Sequence, residues 1–246
     1  MRAAGRLVAQ VREELRRMVA PGVTTLELDA AAERMIRDAG ALPTFKGYHG
    51  FPYSICASVN EQVVHGFPSK YALREGDIFS LDVGVTLAGF VGDTATTVPV
   101  GRVGEDRLRL IRVAEECLER AIEQCRPGRH LGDIGWAVQE HAERHGYSIV
   151  RDYVGHGIGR KMHEDPQIPN YGRPGTGAKI KVGYVFAVEP MINMGTHYTK
   201  TLGDGWTVVT LDGRPSAHVE HTIAITEEGP EVFTRLDVAE PAAAAG

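Results

Sequence analysis

The stretch PGVTTLELDAAAERMIRDAG, residues 21–40, aligns without a gap on PGRHLGDIGWAVQEHAERHG, residues 127–146. Each copy begins with Pro-Gly, carries an acid six positions later (Glu27, Asp133) and closes on a glycine (Gly40, Gly146). Apolar residues at helical spacing precede each Pro-Gly, through about 6–19 and 109–125. Each Pro-Gly therefore ends one helix and begins the approach to a second, and the closing glycine stops that second helix. A further match lies downstream: EGDIFSLD (75–82) corresponds to VGYVFAVE (182–189). Both are apolar, β-branched runs after a glycine, predicted as buried strands that end on a carboxylate, Asp82 or Glu189. Burying a carboxylate is costly without a partner, so two at equivalent positions point to a shared centre on a pseudo-twofold axis.

The fold class that follows is α+β. Two αα-β halves, about 1–105 and 106–238, form a single domain whose strands join into one curved, largely antiparallel sheet backed by helices. Residues 239–246, AEPAAAAG, lack apolar periodicity and are expected to be a disordered tail.

Between the two blocks, LDVGVTLAGFVGDTATTV (81–98) reads as a β-hairpin turning at Leu87-Ala88-Gly89. A turn centred there sets Asp82 directly opposite Asp93 on one face. Two carboxylates so close repel unless a cation lies between them. A solvated pair on an exposed face is the alternative, and Leu81, Val83 and Val91 argue against it. His156 lies in Gly155-His-Gly-Ile-Gly159, where small neighbours let an imidazole reach a close-packed centre. His163, Glu189 and Glu220 are the remaining candidates. Two Asp, two Glu and one His make a set rich in hard oxygen donors, suited to a carboxylate-bridged pair of Mn, Fe, Co or Zn ions and unlike a structural zinc site.

Composition narrows the classes. The 246 residues carry a formal charge of −5, with 43% hydrophobic and 24% charged residues, as in ordinary globular domains. The acidity argues against nucleic-acid binding by phosphate neutralisation, and no apolar run is long enough to span a membrane. Cys56, Cys117 and Cys125 form no CxxC, which points to a reducing, cytoplasmic setting. The Arg-rich start resembles a transit peptide, but Glu13, Glu14 and the repeat count against that. No P-loop, dinucleotide fingerprint or G-x-S-x-G is present. A Cys56 thiol nucleophile is less well specified than the metal set.

In order, the motifs Asn60-Glu-Gln-Val-Val-His-Gly-Phe-Pro68, Leu81-Asp-Val-Gly84, Gly92-Asp-Thr94, Gly155-His-Gly-Ile-Gly159, Glu189-Pro-Met191 and Val219-Glu-His-Thr222 resemble the methionine aminopeptidase family, in its short type I bacterial form. The resemblance runs over nearly the whole chain. It implies the pita-bread fold and removal of the initiator methionine from nascent polypeptides, by a hydroxide held between two divalent ions, with a small second residue preferred. By the same resemblance Asp82 would bind one ion through both oxygens, Asp93 and Glu220 would bridge, and His156 and Glu189 would complete the second. Glu189 would also be the general base. His163 would meet the scissile carbonyl and His65 the substrate amide. Tyr48, Phe51, Cys56, Met162 and Trp206 would line the methionine pocket, Met162 standing where an aromatic residue is common. A monovalent cation would lie near Asn60, Gln62 and Ser216. A cytoplasmic monomer working near the ribosome is expected, without nucleic-acid or membrane partners. The alternatives are a proline-directed aminopeptidase or dipeptidase of the same fold, whose members usually carry an extra N-terminal domain, and a non-catalytic binding protein of that fold.

Overall fold

The computed structural model describes residues 1–236, so the tail expected at 239–246 lies outside the described residues. The first half opens with α1 (Arg2–Met18) and α2 (Thr25–Asp38), followed by β1 (Leu42–Pro43), β2 (Ile55–Val59), β3 (Gln62–Val64) and the long hairpin β4 (Ile78–Leu87) and β5 (Phe90–Pro99). The second half repeats the plan with α3 (Glu105–Gln124), α4 (Leu131–Arg144), β6 (Ser148–Ile149), β7 (Gly155–Gly157) and β8 (Glu164–Ile168). It continues through β9 (Val185–Val188), β10 (Met191–Asn193), β11 (Thr199–Thr201), β12 (Val208–Thr210), β13 (Ser216–His218), β14 (His221–Thr226) and β15 (Gly229–Val232).

The acids shared by the aligned blocks do the same local work. Glu27 Oε2 accepts from the Thr24 N–H at 2.8 Å, and Asp133 Oδ2 accepts from the His130 N–H at 2.7 Å. Each satisfies an otherwise orphaned donor at the helix entrance. Gly40 and Gly146 end the two helices at φ 72° and 83°, a region costly for residues with a Cβ.

Each half has its own core. Val8, Leu15, Leu28 and Ile36 of α1 and α2 pack on Phe79, Leu81 and Val83 of β4. Leu110, Ile134 and Val138 of α3 and α4 pack on Phe186, Val188 and Ile223 of β9 and β14. Complete burial of one such side chain contributes about 1.5–3 kcal/mol, so each core is substantial by itself.

All strand pairs are antiparallel, but the single curved sheet is drawn in four pieces. The largest run β15-β14-β9-β7-β8 in the second half and β1-β4-β2, with β5 on β4, in the first. They meet at one seam. The Glu220 N–H donates to the Ala95 carbonyl at 3.0 Å, and Thr222 Oγ1 donates to the Asp93 carbonyl at 2.7 Å.

Two strand expectations are corrected. Asp82 lies in the middle of β4, not at its end, because the hairpin continues through Leu87. Asp82 and Asp93 are not directly opposite: Asp82 faces Ala95, and Asp93 faces Gly84. Ala88 and Gly89 both take positive φ (50° and 76°), so this pair alone makes the turn and moves its centre past Leu87. The acids remain on one face as diagonal neighbours, still within mutual reach.

Candidate metal centre and pocket

Five side chains converge from both halves at the seam. Asp82 comes from β4 and Asp93 from β5; His156 comes from β7, Glu189 from the residue after β9, and Glu220 from the link between β13 and β14, where its backbone bridges to Ala95. The glycines around His156 are steric requirements. A Cβ at Gly155 would stand 2.4 Å from the Ala187 carbonyl oxygen, and one at Gly157 2.3 Å from that of Asp165. Only a bare backbone threads between β8 and β9 and carries the imidazole inward.

Electrostatically the cluster is far from balanced. Asp93 and Glu220 are each 2% exposed, and Asp82 Oδ1, Asp93 Oδ1 and Glu220 Oε1 are buried without a hydrogen-bond partner. Burial pushes Asp82 up to about 7. It raises Asp93, Glu189 and Glu220 well above the carboxylate range, each pushed further by its acidic neighbours. Orphaned buried oxygens at this density carry a heavy desolvation cost that a cation relieves. His156 Nδ1 lies 2.8 Å from the Gly157 carbonyl, which fixes Nδ1 as the donor and leaves Nε2 as a lone pair facing the acids, 3.5 Å from Glu189 Oε1. Burial pulls this histidine down to about 4, so the lone pair is present at neutral pH. The donor set therefore fits a divalent ion: ligand atoms of Asp93, His156 and Glu220 lie within 4.8 Å of one another.

The acids form the floor of a cavity of about 350 Å³. Its walls hold every pocket residue anticipated from the sequence: Tyr48, Phe51, Cys56, Met162 and Trp206, together with His65 and His163. Phe51 meets Trp206 edge-on at 5.1 Å, a rigid apolar corner. His65 is held at φ 59°, the kind of strained backbone that persists where the surroundings dictate it, and burial pulls its pKa down to about 4. Cys56 pairs with Asp82 across β2 and β4; burial, and then that acid, push its thiol up, which removes the thiolate nucleophile.

Sequence reasoning missed Phe45 and His49, which also line the cavity, and His218, whose Nε2 is buried, unpartnered and 3.8 Å from Glu189 Oε2. Phe45 and His49 sit in a loop with no periodicity to expose them. His218 was visible only as a second histidine in the run that holds Glu220. Two of the three residues whose backbone is expected near a monovalent cation are joined directly. The Ser216 N–H donates to the Asn60 carbonyl at 2.9 Å, whereas Gln62 turns its Oε1 back to the Val59 N–H. A second ionisable group, Glu116, His141 and His145, lies apart from this centre on α3 and at the end of α4.

A family model for metallopeptidase family M24 matches residues 1–227 of the chain. The chain is 52% identical over 236 residues to methionine aminopeptidase 1 of Bacillus subtilis (strain 168), covering 96% of this chain and 95% of that one. It is 53% identical to methionine aminopeptidase of Clostridium perfringens, covering 96% of this chain and 95% of that one. The crystal structure of methionine aminopeptidase from Rickettsia prowazekii superposes with a TM-score of 0.94 at 48% identity, covering 95% of each chain.

Proposed function

The chain belongs to metallopeptidase family M24 and removes methionine from the amino terminus of polypeptides, and we propose that it does so with two divalent ions held by Asp82, Asp93, His156, Glu189 and Glu220. The observation that carries this site assignment is the set of orphaned buried carboxylate oxygens on the floor of an apolar cavity. Bound there, the ions would supply Lewis acidity, neutralising the acids, polarising the scissile carbonyl and lowering the pKa of a water.

The chain's own residues do the rest. Asp93 and Glu220, from opposite halves, would be shared between the ions; Asp82 would hold one, and His156 and Glu189 would complete the second. Glu189, at the cavity floor beside His156, takes the proton from the attacking water. His163 donates to the carbonyl oxygen, and neutral His65 stands by the substrate amide. Phe51, Trp206, Cys56 and Met162 surround an unbranched thioether with apolar, polarizable surface. The histidines crowd the mouth, which favours a small second residue: Met-Ala peptides are cleaved faster than Met-Leu peptides, and equal rates would count against this placement.

The ions are Mn, Fe, Co or Zn, since oxygen donors with one imidazole accept each of them. A monovalent cation is held by backbone near Asn60, Gln62 and Ser216. The site's need for new amino termini fits a cytoplasmic monomer working near the ribosome; among the described residues no helix is long and apolar enough to cross a membrane. Relatives at about half identity are methionine aminopeptidases, which leaves the proline-directed and non-catalytic readings without comparable support. Metal-stripped protein supplied with each ion in turn, and offered Met-Ala-Ser and Ala-Pro-Ala, tests the assignment. Metal-dependent release of methionine from the first alone is expected; cleavage of the second, or of neither, overturns it.

A further inference from the structure

His163 is exposed, in the loop before β8, yet its ring must meet the substrate with one particular nitrogen. Its single side-chain hydrogen bond among the described residues is to Tyr48: the phenol oxygen lies 2.7 Å from Nδ1. Tyr48 is itself fixed by a tight loop. The Tyr48 N–H donates to the Phe45 carbonyl at 2.9 Å, the Phe51 N–H returns to the Tyr48 carbonyl at 2.9 Å, and the His49 ring packs edge-on at 4.4 Å. Among the described residues Nδ1 is the one acceptor within reach of the phenol proton. Occupying Nδ1 as an acceptor leaves the ring proton on Nε2.

Resting on the aminopeptidase reading above, we propose that Tyr48 is a positioning residue: its hydroxyl donates to His163 Nδ1, fixes the Nε2–H tautomer and aims that donor at the carbonyl oxygen of the bond to be cut. A wall of the methionine pocket thus also sets the chemistry at its mouth. The same bond explains why His163, whose ring centre lies 4.2 Å from that of His156, is a donor to substrate and not a sixth metal ligand. An Nε2–H has no lone pair to offer a cation.

Tyr48→Phe keeps the ring in the wall and removes only the hydroxyl. On Met-Ala-Ser it lowers kcat about tenfold, equivalent to about 1.4 kcal/mol, while KM and ion stoichiometry stay near wild type. The double variant with His163→Ala is no slower than His163→Ala alone, because Tyr48 acts through that ring. Nitrogen-15 NMR of zinc-loaded protein reports the Nε2–H tautomer for His163, and a mixture of tautomers in Tyr48→Phe. An unchanged kcat, losses that add in the double variant, or an Nδ1–H tautomer in the wild type would each overturn the proposal. If the wild type releases no methionine, the aminopeptidase reading fails separately, and the tautomer still judges the hydrogen bond.

Discussion

Among the described residues, two groups of side chains lie close enough to share an ion, and they are built in opposite ways. Asp93, His156 and Glu220 at the seam are all buried, with carboxylate oxygens that have no partner. Between α3 and α4, His141 Nε2 already bonds Glu116 Oε2 at 2.6 Å, and His145 Nδ1 bonds the His141 carbonyl at 2.8 Å. The Glu116 side chain is 53% exposed, so water hydrates its charge. Ligation through His141 Nε2 would also drive its proton to Nδ1, which is buried without an acceptor. Stranding that donor costs about 1–3 kcal/mol. Proximity alone does not make a metal centre; among the described residues, the buried carboxylate oxygens without a partner all lie at the seam.

The strongest way to break this contrast is at Asp93. If Asp93 bridges as proposed, Asp93→Ala should lose activity and both ions together; two tightly bound ions by calorimetry in that variant would refute the assignment.

Metal removal comes next. The seam carboxyls hold protons more tightly in the folded chain than in the unfolded one, so their contribution to stability is full below about pH 4 and is lost as pH rises through their folded values. For Asp82, raised from 3.8 to about 7, the loss is on the order of 4 kcal/mol. Thermal melts of chelated protein should therefore fall from pH 5 to pH 8, and added Mn²⁺ should flatten the trend. A flat profile without metal would show that the acids are not strained.

The smallest effect lies at the outer group. His141→Ala costs stability on the order of 1–3 kcal/mol, and Glu116→Gln about 1 kcal/mol or less, with ion stoichiometry and kcat unchanged. A third ion per chain that disappears in either variant would erase the contrast between the two groups.

What the sequence disclosed depended on how local the signal was. Helices α2 and α4 were legible because their entrances each carry an acid at the same spacing, Glu27 and Asp133. The acids proposed to hold metal were legible because each sits in a short motif. Strand register was not, since it turned on Ala88 adopting a left-handed conformation that no residue pattern announced. Nor was the division of the sheet into four pieces, because two- and three-residue strands leave no period to read. Phe45 and His49 reach the cavity only through the tight loop at 45–51. Tyr48 was placed in the pocket by resemblance, but its bond to His163 joins residues more than a hundred positions apart.

The seam between the two cores has a consequence for inheritance. Asp82 and Asp93 belong to one half, His156, Glu189 and Glu220 to the other, so neither half alone carries a working set. Cutting the chain in the turn between β5 and α3 should yield two inert fragments that recover activity only when mixed, and more readily with a divalent ion present. A gene split at that point would therefore have to pass on both pieces for the activity to be inherited.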